Sequence, residues 1–209
     1  MTENGLKTGT TTLGIVCSDG IVLAADKRAT AGNFIASKDV EKVVQINDNL
    51  AITTAGSVSD IQLFIKLLRA ELKLKNIKTN RVSTVKEAAN LSARMVYESA
   101  RQYFPSMAHF LLAGFDNSGT HLYEIYPDGS MSEIKDFISS GSGSPMVFGI
   151  LENTYKSSIT VKEAEDLAIK AISASMQRDT GSGNGIDVMV ITKNNIRKTI
   201  QKKVSAITN

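Results

Sequence analysis

The sequence predicts an α+β protein, built as a four-layer αββα sandwich in which two antiparallel sheets are each covered by a pair of helices. The first observation is the order of the elements, because segments with strand and helix patterns follow one another as strands, two helices, strands, two helices and strands. The second is a set of short turns between neighbouring strands, such as Ser18-Asp19-Gly20, which favour antiparallel hairpins. A two-layer α+β domain is the alternative arrangement of these elements.

The first half of the chain contains the first group of strands and the first pair of helices. Apolar segments rich in β-branched residues predict strands at Thr11 to Cys17, Gly20 to Ala25, Phe34 to Ala36, Val40 to Ile46 and Leu50 to Ala55. Apolar residues at helical spacing predict a helix from about Ser57 to Asn76. A second helix should begin at the capping box Thr84-Val85-Lys86-Glu87 and run to about Gln102.

The second half of the chain repeats this order. Its predicted strands are about 108–115, 120–126, 130–134 and 186–191, with a possible last strand within 196–204. A loop of small residues, 139–145, precedes a short helix at about Met146 to Tyr155, which has Pro145 at its start. A second capping box, Thr160-Val161-Lys162-Glu163, begins a helix that runs to about Arg178.

Composition excludes several classes of function. The chain has 209 residues, 42% of them hydrophobic, which is enough for one domain with a sizeable core. Its 24 basic and 21 acidic residues are interspersed, so no nucleic-acid-binding arm is indicated. Apolar runs are too short for a membrane helix, residues 1–9 lack the pattern of a signal peptide, and the single cysteine, Cys17, favours a reducing compartment. Nothing around His109 and His121 has metal-ligand spacing. We therefore expect a cytoplasmic protein without a metal, membrane or nucleic-acid partner.

The stretch Gly9-Thr10-Thr11-Thr12 stands between a polar leader, residues 1–9, and the first predicted strand. One interpretation is a strand that begins with threonines after a frayed terminus. The other is that the chain is cut between Gly9 and Thr10. The new α-amino group would then lie beside the Thr10 hydroxyl and could take its proton, since its ordinary pKa is about 7.7–8.0. A threonine with a free amino terminus is a known variant of the catalytic triad.

Lys42 is a second feature that needs an explanation. Side chains alternate faces along a strand, which would place Lys42 among Val40, Val44 and Ile46 on one face. A lysine on an apolar face is costly unless it is paired. It could extend its ammonium group to solvent or protect a sheet edge, or it could point into a site.

Two loops rich in glycine and serine, within 139–145 and 179–185, allow two interpretations. They lack the phosphate-binding patterns G-x-x-x-x-G-K-[ST] and G-x-G-x-x-G, and also the G-x-S-x-G pattern of a hydrolase nucleophile elbow. They are either solvated connections or places where backbone N–H groups approach a reaction centre, because glycine permits such close approach.

Several motifs taken together resemble those of the β-type subunits of archaeal 20S proteasomes, which are threonine proteases of the N-terminal-nucleophile hydrolase class. The resemblance extends from Thr8 to about Ile191 and is least clear in residues 192–209. The matching stretches are Thr8-Gly9-Thr10-Thr11-Thr12-Leu13-Gly14-Ile15, Gly20 to Thr30, Thr54-Ala55-Gly56, Gly141 to Pro145, Arg178 to Gly183 and Ile186-Asp187-Val188.

The resemblance implies a set of catalytic roles. Thr10 would be the nucleophile freed by self-cleavage at Gly9–Thr10, so that residues 1–9 are a propeptide and 10–209 a single catalytic domain. Asp26 and Lys42 would orient and polarise this nucleophile. The remaining implied catalytic positions, which would hold the amine and move its proton, are Ser142, Asp179 and Ser182.

The resemblance also implies how a substrate would bind. The Gly56 N–H would be the oxyanion donor, and the backbone at Thr30 and Gly56 would pair with an extended substrate. The pocket for the residue before the scissile bond would be lined by Ala29, Val40, Val44, Thr54 and Val58.

The implied function is hydrolysis of peptide bonds in unfolded proteins, with no metal or other cofactor. The implied partners are other β subunits in a heptameric ring, flanking rings of α subunits, and a regulatory ATPase that unfolds substrates. Two alternatives stay open at this point. One is a catalytically silent β subunit that only completes the ring, and the other is an N-terminal-nucleophile amidase that acts on a small molecule.

Overall fold

A computed structural model of the chain describes residues 9–103 and 108–203. The elements of the first half are β1 Thr12–Val16, β2 Ile21–Asp26, β3 Ala29–Ala31, β4 Phe34–Ser37, β5 Val43–Asn47, β6 Leu50–Ala55, α1 Val58–Thr79 and α2 Val85–Ala100. Those of the second half are β7 His109–Asp116, β8 Gly119–Ile125, β9 Met131–Ile134, β10 Phe137–Ser140, α3 Ser144–Thr154, α4 Val161–Arg178, β11 Gly185–Thr192 and β12 Asn195–Lys203. Most of the predicted leader, residues 1–8, and residue 204 of the predicted last strand lie outside the described residues.

The strands form two five-stranded sheets, ordered β10-β1-β2-β11-β12 and β5-β6-β7-β8-β9, and every neighbouring pair is antiparallel. A small hairpin of β3 and β4 lies outside both sheets. Helices α3 and α4 pack on the first sheet, and α1 and α2 pack on the second. The four-layer αββα prediction is confirmed, and the two-layer alternative is excluded.

Alternation of side chains along the strands explains why both faces of each sheet are buried. In β2, Val22 and Ala24 join the cluster beneath α3 and α4, whereas Leu23 and Ala25 join a cluster between the two sheets. In β6, Ile52 faces α1 and α2 in the same way. Strands that are covered on both faces are therefore apolar at nearly every position.

The predicted capping boxes are both formed. The Thr84 hydroxyl accepts from the Glu87 N–H while the Glu87 carboxylate accepts from the Thr84 N–H, and Thr160 and Glu163 do the same at the start of α4. Each box satisfies two N–H groups that a helix would otherwise leave without an internal partner.

Among the described residues, none of the helices combines the length and the apolar character that a membrane-spanning segment needs.

Three details differ from the sequence-based predictions. Strand β10 was not predicted, because it has four residues and pairs with β1, more than a hundred positions away. Strand β3 was also not predicted, because it has only three residues. The fifth strand begins at Val43 and not at Val40, so Lys42 lies directly before the strand.

Candidate active site

Thr10 lies two residues before β1 and is 5% exposed. In the intact chain its hydroxyl donates a hydrogen bond to the carbonyl oxygen of Gly9, at 2.6 Å. The amide N–H between these residues donates to the Ser142 hydroxyl, at 3.3 Å, and the Gly9 N–H donates to the Thr30 hydroxyl, at 2.8 Å. Hydrogen bonds to Thr30 and Ser142 thus hold the backbone on either side of the Gly9 carbonyl group, and the Thr10 hydroxyl contacts that carbonyl group directly.

Asp26, the last residue of β2, is a buried acceptor for four hydrogen bonds. One carboxylate oxygen accepts from the Thr11 N–H at 2.9 Å and from the Lys42 ammonium at 2.7 Å. The other accepts from the N–H groups of Arg28 and Gly183, both at 2.9 Å. A fully buried carboxylate is tolerated when its oxygens are satisfied and a cation neutralises its charge. Asp26 therefore ties the chain next to Thr10 to the Lys42 side chain.

The Lys42 side chain is 5% exposed, and its ammonium group is paired with Asp26. Its backbone is fixed as well, because its carbonyl oxygen accepts from the Thr54 N–H of β6 at 2.9 Å. Burial lowers the pKa of Lys42, and the negative charge of Asp26 opposes this only in part. A lysine with a lowered pKa exchanges its proton more readily than one in water.

A chain of hydroxyl groups leads from Asp179 to the Thr10 backbone. Asp179 lies just beyond α4, and one of its oxygens accepts from the hydroxyls of Ser142 at 2.7 Å and Ser182 at 2.6 Å. The Ser182 hydroxyl also contacts the Thr11 hydroxyl at 2.6 Å. The Ser142 hydroxyl also accepts from the Thr10 N–H, so it links Asp179 to the nitrogen that self-cleavage would turn into an amine.

A cavity of about 400 Å³ opens beside Thr10 and Lys42. Every residue that the resemblance places in substrate binding lines it, namely Ala29, Thr30, Val40, Val44, Thr54, Gly56 and Val58. Ile46, which alternation placed on the face of Lys42, does not line the cavity. It lies in the core beneath α1 and α2, at a register irregularity in β5.

These residues occur within a recognised family. A sequence model of the proteasome subunit family matches residues 6–191. The chain belongs to the proteasome subunit family.

Curated relatives in this family are archaeal proteins named "Proteasome subunit beta". The relative from Methanosarcina barkeri is 45% identical over 199 residues, which are 95% of this chain and 93% of that protein. The relative from Ferroglobus placidus is 44% identical over 199 residues, 95% of this chain and 94% of that protein. The relative from Archaeoglobus fulgidus is 42% identical over 207 residues, 99% of this chain and 96% of that protein.

Sequence reasoning missed several residues of this proteasome-family site. Arg28 bonds to Asn184 and to the Thr180 carbonyl, so it fixes the loop that supplies Ser182. Thr11 uses its N–H on Asp26 and its hydroxyl on Ser182. Both residues lie next to predicted site residues and within the stretches that carry the family resemblance, and these were the signals by which they could have been found.

Helix α1 provides a wall of the cavity that was also missed. Beyond Val58, the lining includes one stripe of the helix at helical spacing: Ile61, Gln62, Ile65, Lys66 and Arg69. Arg69 is already engaged, because its guanidinium donates to the backbone carbonyls of Gln45 and Ile46. The stripe could have been recognised only once α1 was known to lie against β5.

Proposed function

We propose that this chain is the catalytic β subunit of a proteasome core particle, a threonine endopeptidase that hydrolyses peptide bonds of unfolded proteins. The observation that carries the proposal is the contact between the Thr10 hydroxyl and the Gly9 carbonyl, beside the paired Asp26 and Lys42 side chains. A buried charge pair costs desolvation energy, and its position beside Thr10 favours a catalytic subunit over a silent one.

Self-cleavage would begin when the Thr10 hydroxyl oxygen attacks the Gly9 carbonyl carbon and the proton moves to the leaving nitrogen. The product is an ester between Gly9 and the Thr10 side chain, with a free Thr10 amine. Water hydrolyses this ester and releases residues 1–9, which leaves 10–209 as the mature domain. Gly9 favours the reaction because it has no side chain to hinder attack on its carbonyl.

In the mature subunit, the Thr10 amine would take the hydroxyl proton as the oxygen attacks a substrate carbonyl. The Lys42 ammonium, held by Asp26, would stabilise negative charge on that oxygen. The Gly56 N–H, on the cavity wall, would donate to the substrate oxyanion. The scissile C–N bond would then break as the leaving nitrogen takes the proton from the Thr10 ammonium, and the acyl-enzyme ester would be hydrolysed by water that the same amine activates.

Ser142, Asp179 and Ser182 would serve the amine in this scheme. The Ser142 hydroxyl contacts the Thr10 nitrogen, and the Asp179 carboxylate accepts from the hydroxyls of both Ser142 and Ser182. A nearby carboxylate favours the protonated form of an amine. The Asp179 carboxylate would therefore help the Thr10 amine to hold the proton that it receives and returns during each cycle. No metal or other cofactor is required by these steps.

Assembly into cytoplasmic rings forms the rest of the proposal. The β subunits would form a heptameric ring flanked by rings of α subunits, and an ATPase would deliver unfolded chains. Several large apolar side chains on α1 are exposed in the single chain. Because clusters of large apolar side chains are seldom left in contact with solvent, they support the proposal that a neighbouring subunit covers this surface. They are Leu63, Leu67, Leu74 and Ile77.

The proposed function is tested with the particle assembled from this chain and its α partner. It should degrade an unstructured polypeptide and leave a tightly folded protein of similar size intact, because ring closure would exclude folded chains. Peptide products are measured by mass spectrometry. Cleavage of small amides without any cleavage of polypeptides would favour the amidase alternative, and no activity from particles with mature Thr10 would favour a silent subunit.

Peptides with a large neutral residue before the cut should be the preferred substrates. The pocket residues Ala29, Val40, Val44, Thr54 and Val58 are uncharged, and charged side chains would lose water there without a partner. Lys66 also lines the cavity. It lies eight helical residues beyond Val58, about 12 Å along the helix axis, so it is too far along α1 to pair with a charge held at Val58. A matched peptide series varied only at that residue measures the preference, which should be broad. Faster cleavage after Glu or Arg than after Leu, Phe or Tyr would show that the pocket is misassigned.

Gly181→Ala should slow the removal of residues 1–9 more than it slows the mature enzyme. A methyl group at Gly181 would overlap the backbone of Gly9, so the leader would be pushed out of position. Mature protein lacks Gly9 and keeps only the less severe contact of the methyl group with the Ser142 hydroxyl, at 3.1 Å. The measurement compares the rate of processing with the peptidase rate of particles whose subunit was expressed from Thr10 onward. Equal slowing of both rates would contradict the prediction, and Gly149→Ala, where the added methyl group meets nothing, is the matched control.

A further inference from the structure

Lys27 follows Asp26 directly but has different partners. Its side chain is 1% exposed, and its ammonium lies 2.7 Å from a carboxylate oxygen of Asp39 and 3.5 Å from one of Asp187. Burial by itself lowers the pKa of Lys27, but the hydrogen bond to Asp39 and the charge of Asp187 outweigh it, and its pKa is raised. Lys27 is therefore a permanent buried cation next to the site.

Asp187 lies on β11, fully buried, and it binds a second lysine. The ammonium of Lys198 on β12 is 3.4 Å from the same Asp187 oxygen that faces Lys27. Lys198 also reaches Glu41, at 3.0 Å. The five side chains thus form an ionic chain in the order Asp39, Lys27, Asp187, Lys198 and Glu41.

Both ends of this ionic chain lie in one short segment, residues 38–42, between β4 and β5. Asp39 and Glu41 flank Val40, which lines the cavity, and Glu41 directly precedes Lys42. The segment belongs to no helix or strand, and its backbone is tied at two points: the Val40 N–H donates to Lys27 and the Lys42 carbonyl accepts from Thr54. The carboxylates of Asp39 and Glu41 add two further attachments on the outer side.

Stability alone does not explain such a chain. Burying Asp187 and Lys27 costs desolvation energy, and a buried ion pair often contributes no more than apolar residues of the same volume. The ionic chain does fix positions in the structure. Lys27 and Lys198 are both anchored on the Asp187 carboxylate, and each can hold one outer acid, Asp39 or Glu41, at a fixed place.

We propose that Asp39, Lys27, Asp187, Lys198 and Glu41 form an ionic clamp that positions segment 38–42, and with it the Lys42 ammonium, for reaction at Thr10. The proposal rests on the peptidase function proposed above. The clamp residues are positioning residues that act through Lys42 and Val40. Glu41 also lines the cavity, so KM is measured beside kcat to separate a direct contact with the substrate from positioning.

The test uses the assembled particle with the double variant Asp39→Asn/Glu41→Gln, which removes both outer charges. Asp39 and Glu41 are 47% and 59% exposed in their side chains. Lys27 and Lys198 both keep Asp187 as a partner, so the fold should be kept. Asp48→Asn/Glu71→Gln changes the same charges at exposed positions outside the segment and serves as the control. Turnover is divided by the number of subunits with a mature Thr10 terminus, which intact mass measures, so that unprocessed subunits do not lower the apparent kcat.

The double variant should lower kcat for a small peptide by about tenfold, in line with the cost of small misplacements of catalytic groups. KM should change less than kcat, and Asp39→Glu, which keeps the charge, should retain most of the wild-type kcat. A kcat within twofold of wild type would overturn the clamp, as would an equal loss in the control. A double variant that fails to fold would also overturn it, because the ions would then support the whole fold. Inactive wild-type particles would instead contradict the proposed peptidase function.

Discussion

Thr10→Ala should keep residues 1–9 attached and abolish peptidase activity. The structure places the Thr10 hydroxyl 2.6 Å from the Gly9 carbonyl oxygen, and alanine removes the only atom of this residue that could attack. The fold should be unaffected, because the Thr10 side chain has no other hydrogen-bond partner among the described residues. Intact mass of the assembled particle reports the leader, and a fluorogenic peptide reports the activity.

Two further variants make this result interpretable. Thr10→Ser keeps the hydroxyl and should still process, although without the β-branch its χ1 angle is less restricted and the reaction should be slower. Thr12→Ala removes a hydroxyl that bonds Ser140 and not Gly9, so processing should proceed normally. If Thr10→Ala were cut at the same bond in a host without related proteases, the intramolecular mechanism would be wrong.

Local patterns were enough to predict most of the fold. The capping boxes at Thr84 and Thr160 mark helix starts through contacts three residues apart, and both are formed. Hairpin turns such as the one before Gly20 join strands that are consecutive in the chain, and those pairings are found as well. Information of this kind lies within a few residues of sequence, where spacing and turn chemistry act directly.

Contacts between distant segments could not be predicted in this way. Strand β10 pairs with β1 across more than a hundred residues, and nothing in Phe137–Ser140 alone indicates a strand. The same holds for Asp187, whose motif was noticed but whose two lysine partners lie on β12 and after β2. The neighbours of Thr10 were assigned through the family resemblance, since periodicity could mark Lys42 only as misplaced on an apolar face.

Lys42→Ala should reduce peptidase turnover by at least about a hundredfold, the loss expected when a group that stabilises developing charge is removed. Removing one partner of a buried ion pair costs about 3–5 kcal/mol when the other charge is left uncompensated. Asp26 keeps three backbone donors, from Thr11, Arg28 and Gly183, and the variant no longer buries a lysine. These two effects reduce the loss, so the free energy of unfolding should fall by about 1–3 kcal/mol and the protein should still fold.

The comparison that decides the role of Lys42 is with Lys73→Ala, which removes an exposed lysine from α1 and should leave turnover unchanged. Thermal melting and circular dichroism report the fold of both variants, and turnover is measured on particles expressed from Thr10 onward so that processing plays no part. If Lys42→Ala kept more than a tenth of wild-type turnover, the alkoxide at Thr10 would have to be stabilised without this ammonium. The buried pair with Asp26 would then be a structural tie between β2 and the start of β5, and the mechanism would rest on the Thr10 amine and the Gly56 N–H alone.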